Sequence, residues 1–192
     1  TDKAVLVIWG GEDISPSIYG MKNNSYTQAL DKPSSRDKFE IALAEQAMKL
    51  DIPIVGVCRG AQLMCALSGG TLVQHVTGHI GGYHNIVTDK GEKLYCPSLH
   101  HQMMYPWAIP NFKMLAWPPK PLSIVYKGEP SDRQLENHEG QDIALPGEEP
   151  EIIWIPHTKS LCIQSHPEFI HDVAHPFIKH CLKLTEAYCG MV

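Results

Sequence analysis

The chain has no run of lysines or arginines, and its net charge is −5. A nucleic-acid surface needs clustered positive charge, so the sequence argues against that partner. No apolar stretch approaches the roughly 18 residues of a membrane-crossing helix, and no secretory leader is visible from Thr1 onward. No Cys-x-x-Cys pair occurs among the six cysteines, Cys58, Cys65, Cys96, Cys162, Cys181 and Cys189, and most sit in apolar runs. That argues against a disulfide framework and for free thiols in a reducing, cytoplasmic setting. Charged residues are only 19% of the 192, against 43% hydrophobic, which suits a single folded domain with a sizeable core.

What is present is organised around the stretch from Asp51 to Thr71. Ile52 to Val57 is a short, nearly all-apolar run, the pattern of a buried parallel strand. Gly56, Cys58 and Gly60 follow as Gly-x-Cys-x-Gly, and Ala61 to Leu67 reads as a helix stopped by Gly69-Gly70. Strand, tight turn and helix with a nucleophile at the apex is the logic of a nucleophile elbow. Side chains at the flanking glycines would clash with so sharp a turn. A helix amino terminus aims free N–H groups at the sulfur, an environment that suits a thiolate. Elsewhere a lone cysteine in an apolar run is usually a buried structural residue; the glycine context here points to chemistry.

The rest of the chain supplies a parallel framework. Ala4 to Trp9 is a second apolar strand, and it runs into Gly10-Gly11. In open α/β sheets ligands bind at that carboxyl edge. Ser34 and Asp37 have capping-box spacing, so a helix is expected from about Arg36 to Leu50. Phe39, Ala42, Leu43, Ala47 and Leu50 would form its buried face. Strands are expected at Thr71–Val76, Phe112–Trp117 and Leu122–Tyr126, and a hairpin from Ile152–Ile155 and Leu161–Gln164. A last helix runs from about Pro176 to Tyr188, with Phe177, Cys181 and Leu184 or Tyr188 facing inward. Strand–helix–strand order predicts a three-layer α/β/α fold with a mostly parallel sheet.

Two stretches invite functional readings. His75, His79 and His84 fall within ten positions, but Gly78, Gly81 and Gly82 interrupt any helix, and no cysteine or carboxylate sits at ligand spacing. No metal and no cofactor are therefore expected. Gly128 to Pro150 holds seven acidic residues against the single Arg133. It reads as a loop-rich acidic insert, either a solvated excursion or a lid.

The hairpin ends in Ser165-His166-Pro167-Glu168. His166 is a candidate base, and Glu168, two residues on, can orient its ring across Pro167. With Cys58 as nucleophile this completes the logic of a thiol acyl-transfer triad.

The elbow Gly56-Val57-Cys58-Arg59-Gly60-Ala61-Gln62 and the late Ser165-His166-Pro167-Glu168 resemble class I glutamine amidotransferases. The resemblance is closest to the γ-glutamyl-γ-aminobutyrate hydrolases of the C26 peptidase type. Gly10-Gly11-Glu12-Asp13-Ile14-Ser15-Pro16 with Tyr19-Gly20, Arg36-Asp37-Lys38-Phe39-Glu40, Gly69 to Gln74 and His100-His101-Gln102 also resemble that branch, in the same order along the chain.

The resemblance implies cleavage of a γ-glutamyl amide through a thioester. By it Cys58 attacks, His166 moves the proton and Glu168 orients His166. The backbone N–H groups of Gly11 and Arg59 hold the oxyanion. Gln62 helps position the glutamyl group, Ser98, Leu99 and His100 occupy the stretch that faces the α-amino and α-carboxylate ends of the substrate, and Gly10, His101 and Gln102 complete the substrate-binding set. The partner implied is a small-molecule γ-glutamyl substrate. A second reading is a glutaminase subunit that passes ammonia to a separate synthetase. A third is a binding module that keeps the fold without the activity; the intact triad argues against it.

The chain departs from the branch in several places. Cys65 stands where the branch usually has Asn, and Ser165 where it usually has Trp. Lys120-Pro121-Leu122-Ser123-Ile124 replaces an Asp-Gly-x-Ile-Glu turn. Members of the family usually carry a further strand and helix before the strand matched by Ala4 to Trp9. Either the sheet is shortened here or the sequence begins inside a longer protein. In the first case Ala4 to Trp9 is an edge strand without charge or proline, which needs a cover. A homodimer pairing along that edge is the simplest one.

Overall fold

The computed structural model describes residues 4–128 and 141–190. The strands are β1 (Leu6–Ile8), β2 (Ile54–Val57), β3 (Thr71–Val73), β4 (His75–Val76), β5 (Gly82–Thr88), β6 (Lys93–Ser98), β7 (Met103–Tyr105), β8 (Lys113–Trp117), β9 (Tyr126–Gly128), β10 (Gln141–Asp142), β11 (Ile152–Ile155) and β12 (Ser160–Ile163). The helices are α1 (Ser35–Lys49), α2 (Arg59–Leu67) and α3 (Pro176–Cys189).

A seven-stranded sheet runs in the order β1-β2-β12-β11-β8-β5-β6. β1, β2 and β12 are parallel neighbours. The pairings from β12 through β11, β8 and β5 to β6 are antiparallel. The parallel part is the part that carries the elbow. Two small sheets, β10-β9-β4 and β3-β7, stand beside it.

Alternation along β2 divides the core in two. Ile54 packs with Leu63, Met64, Ala44 and Ala47 under α1 and α2. Val55 and Val57 pack on the opposite face with Phe177, Cys181 and Leu184 of α3. The three α/β/α layers therefore form as expected. Burying a side chain such as Phe177, which has no exposed surface, contributes about 2–3 kcal/mol.

The buried face of α1 differs from the expected one. Phe39 is 64% exposed and Leu50 59%, while Ala42 and Leu43 also face solvent. The inward residues are Asp37, Ala44 and Ala47, with Ile41 and Met48 packed beside them. Asp37 is turned inward because its carboxylate pairs with buried Arg59, and that fixes the rotation of the helix. The strand expected over Leu122–Tyr126 is also displaced. Only Tyr126 enters a ladder, in β9, because the N–H groups of Leu122 and Ser123 donate to Glu149 instead.

The acidic insert is not a uniform excursion. Its residues 129–140 lie outside the described residues, and the lid reading falls largely on them. Beyond them β10 pairs with β9, and Glu149 is buried. Among the described residues β1 has one paired neighbour, β2, and Val7 and Trp9 are exposed along it.

Candidate active site

The elbow forms where β2 meets α2. Cys58 has φ 49° and ψ −107°, a left-handed conformation that a side chain adopts only under constraint. Two close approaches supply the constraint. A Cβ on Gly56 would lie 2.5 Å from the carbonyl oxygen of Gly60, and one on Gly60 would lie 2.0 Å from that of Ile8. Only glycine lets α2 start this close to β1 and β2. Cys58 sits at the amino-terminal cap of α2, so the positive end of that helix faces its side chain.

The parallel ladder brings His166 to the same place. Ile163 pairs with Val57, and the Cys58 N–H donates to the Ile163 carbonyl at 2.7 Å. Three residues later, His166 Nδ1 donates to Glu168 Oε1 at 2.7 Å. The Phe169 ring stacks on the imidazole at 4.5 Å and 3°. Nε2 is buried and makes no hydrogen bond among the described residues. Burial pulls the imidazole pKa down, but contacts with Cys58 and Glu168 outweigh it and carry the value up to about 9. The imidazolium form is thus favoured at neutral pH. A Cβ on Gly10 would lie 2.9 Å from His166 Cε1 and 3.4 Å from the Cys58 Cβ, so the Gly10-Gly11 turn borders both side chains.

A charged network beneath the site went unread in the sequence. Arg36 donates to the carbonyls of Trp9 and Gly10 at 3.1 and 2.9 Å, and to Glu40 at 2.8 Å. Glu40 and Asp37 both pair with the buried Arg59 guanidinium. Asp37 also closes the capping box with Ser34. One carboxylate therefore starts α1 and anchors the first residue of α2. A Cβ on Gly11 would lie 2.1 Å from Arg36 Nη1. The available signal was a pair of acids and an arginine within one helical turn.

The 98–102 stretch divides between two environments. Gln62, one turn past Cys58, donates to the Gln102 carbonyl at 3.1 Å. His101 Nε2 lies 2.9 Å from Asp13 Oδ1, and Leu99 is exposed. Ser98 and His100 instead turn into a second buried cluster. Ser98 Oγ donates to the His79 carbonyl at 2.7 Å, and His79, His84 and His100 all approach Glu151. Burial lowers the His100 pKa. It opposes the charged form of His79 too, but Glu149 and Glu151 carry that value up to about 9. His75 stands apart, stacked on Tyr26 at 4.6 Å.

A family model described as Peptidase C26 matches residues 3–104. A glutamine amidotransferase-like protein of Rickettsia prowazekii is 36% identical over 87 residues, 45% of this chain and 30% of the relative. A glutamine amidotransferase of Mycobacterium tuberculosis is 41% identical over 80 residues, 40% of this chain and 25% of the relative. The matched part thus spans less than a third of either relative's length. The carbamoyl phosphate synthase small chain of Buchnera aphidicola is 33% identical over 63 residues, 33% of this chain and 16% of that one. Among solved structures, a GMP synthase component from Thermoplasma acidophilum superposes with a TM-score of 0.54 at 14% identity, covering 97% of this chain and 72% of that one. That likeness supports the fold.

Proposed function

The chain belongs to the peptidase C26 family, and from that premise we propose that it hydrolyses a γ-glutamyl amide bond through a thioester on Cys58. The observation that carries the reading is the His166 ring. Its Nδ1 is tied to Glu168 at 2.7 Å, and its Nε2, beside Cys58, has no hydrogen-bond partner among the described residues.

The sulfur of Cys58 attacks the side-chain amide carbon. Negative charge moves to the amide oxygen, where the N–H groups of Gly11 and Arg59 stabilise it. His166 Nε2 gives its proton to the departing nitrogen, the C–N bond breaks and an amine or ammonia leaves. The neutral imidazole then takes a proton from water, whose oxygen attacks the thioester. Collapse releases a free γ-carboxylate and returns the thiolate. Gly10 borders the reacting carbon. Gln62 and the 98–102 stretch, Leu99, His101 and Gln102 included, receive the glutamyl group.

The similarity to a carbamoyl phosphate synthase small chain favours one further reading, in which the released ammonia passes to a synthetase partner. A panel comparing glutamine with larger γ-glutamyl amides tests the two together. Turnover of the larger amides by the chain alone supports the free-standing hydrolase. Turnover of glutamine only, rising when a partner synthetase is added, supports the ammonia-delivering role. No turnover of any γ-glutamyl amide under either condition overturns the proposal.

A further inference from the structure

We propose that His79, His84, His100 and Glu151 form a closed structural site for one divalent transition-metal ion of the zinc type, in the wall beside the candidate active site.

Four ligand atoms converge. Glu151 Oε1 lies 3.1 Å from His79 Nδ1, 3.1 Å from His84 Nε2 and 3.6 Å from His100 Nε2. All four atoms are buried, and none makes a hydrogen bond among the described residues. A tetrahedral zinc ion with ligands about 2.0–2.1 Å away holds its ligand atoms about 3.3 Å apart. The spacings around Glu151 Oε1 bracket that value. The ligand atoms of His79, His84 and Glu151 all lie within 4.8 Å of one another; His100 falls outside that group, with Nε2 3.6 Å from Glu151 Oε1, and moves inward to complete the site.

The outward-facing atoms are held as metal ligands are usually held. His100 Nδ1 lies 2.9 Å from the Gln102 carbonyl, which can only accept, so Nδ1 carries a hydrogen and the Nε2 lone pair points inward. His79 Nε2 lies 3.2 Å from Glu149 Oε2. Glu149 already accepts from the N–H groups of Leu122 and Ser123 and from the Tyr126 hydroxyl, so it too is an acceptor, and His79 Nε2 carries the hydrogen. Ser165 Oγ donates to Glu151 Oε2 at 2.8 Å and leaves Oε1 to the histidines. Such outer partners fix ring orientation and raise ligand basicity. Hydrogens on His79 Nδ1 and His84 Nε2 can fill two of the inner contacts, but they leave the His100 lone pair facing a carboxylate oxygen. A cation satisfies all four at once.

The four ligands come from the β4–β5 connection, β5, the β6–β7 connection and the residue before β11. A metal there would clamp the 97–102 segment, whose Pro97 carbonyl accepts from the His166 N–H at 3.1 Å and whose Gln102 carbonyl accepts from Gln62. With His100 drawn in as the fourth ligand no position is left open for substrate, so the role is structural.

The test uses the full chain carrying Cys58→Ala, so that the candidate nucleophile cannot supply a ligand. Metal-stripped protein is dialysed against zinc and, separately, cobalt(II). The proposal expects one zinc per chain, the visible bands of tetrahedral cobalt without thiolate charge transfer, and a higher melting temperature with metal. His84→Gln and Glu151→Gln should each weaken binding at least tenfold. Zinc far below one per chain, octahedral cobalt, or stoichiometric binding unchanged by both variants would overturn it. The cobalt spectrum of the parent decides alone if the variants do not fold.

Discussion

Glu168 holds His166 from two residues along the chain, accepting the Nδ1 hydrogen at 2.7 Å across Pro167. The short spacing makes base and orienter one rigid turn, so their relation does not depend on the packing of distant elements. Only the nucleophile has to be brought to them, and the parallel β2–β12 ladder does that.

Removing the two partners should therefore have unequal effects. We expect His166→Ala to lower kcat on the order of 10⁶-fold and Glu168→Gln on the order of 10⁴-fold, because orientation is worth less than proton transfer. Steady-state hydrolysis of the best γ-glutamyl amide measures both. Equal losses would mean that Glu168 does more than orient.

The pH profile follows from the same contacts. His166 must carry a proton to give to the leaving amine, and Cys58 and Glu168 hold that proton up to about pH 9. Activity should fall as pH rises through about 9. In Glu168→Gln the alkaline limb should move to lower pH, because one of the two contacts that raise the His166 value is gone. A limb that stays in place in the variant would contradict the assignment.

Arg59 should matter for stability before it matters for chemistry. Its guanidinium is buried against Asp37 and Glu40. Arg59→Met removes the buried cation from Asp37 and Glu40, which keep only the Ser34 cap and Arg36, and breaking such a buried pair costs about 3–5 kcal/mol. Denaturant unfolding should show that loss. A change below about 1 kcal/mol would show that solvent rescues the pair.

Among the described residues β1 is paired only with β2, and its other edge should not remain open. Val7 and Trp9 are exposed along it, and an apolar edge invites pairing. We expect it to be covered, by a second copy or by a segment outside the described residues, with slow amide exchange over Leu6–Ile8; a dimer in sedimentation assigns the cover to the second copy. A monomer whose amides there exchange freely would contradict this.

The elbow was legible because its constraint is local. Gly56 and Gly60 are required by backbone contacts within the turn and with β1, and glycine spacing records such contacts directly. α3 and the β11–β12 hairpin were legible for similar reasons, with proline at the helix start and a short connection. The face of α1 was not. Apolar residues lie all around that helix, and its rotation is set by Asp37 reaching Arg59, 22 positions away. The histidine cluster was legible only in part: His79 and His84 stood out in the sequence, their acidic partners did not. His79 has no carboxylate near it in sequence, and the fold brings Glu149 from 70 positions on. Local spacing predicts what local contacts enforce, and these two features depend on long-range ones.

The central claim is that Cys58 attacks a γ-glutamyl carbonyl. Intact-protein mass spectrometry after exposure to diazo-oxo-norleucine tests it most directly. One adduct per chain is expected, mapped to Cys58, slowed by excess glutamine or a larger γ-glutamyl amide and absent from Cys58→Ala. An adduct on another residue, or full hydrolytic activity in Cys58→Ala, would contradict it.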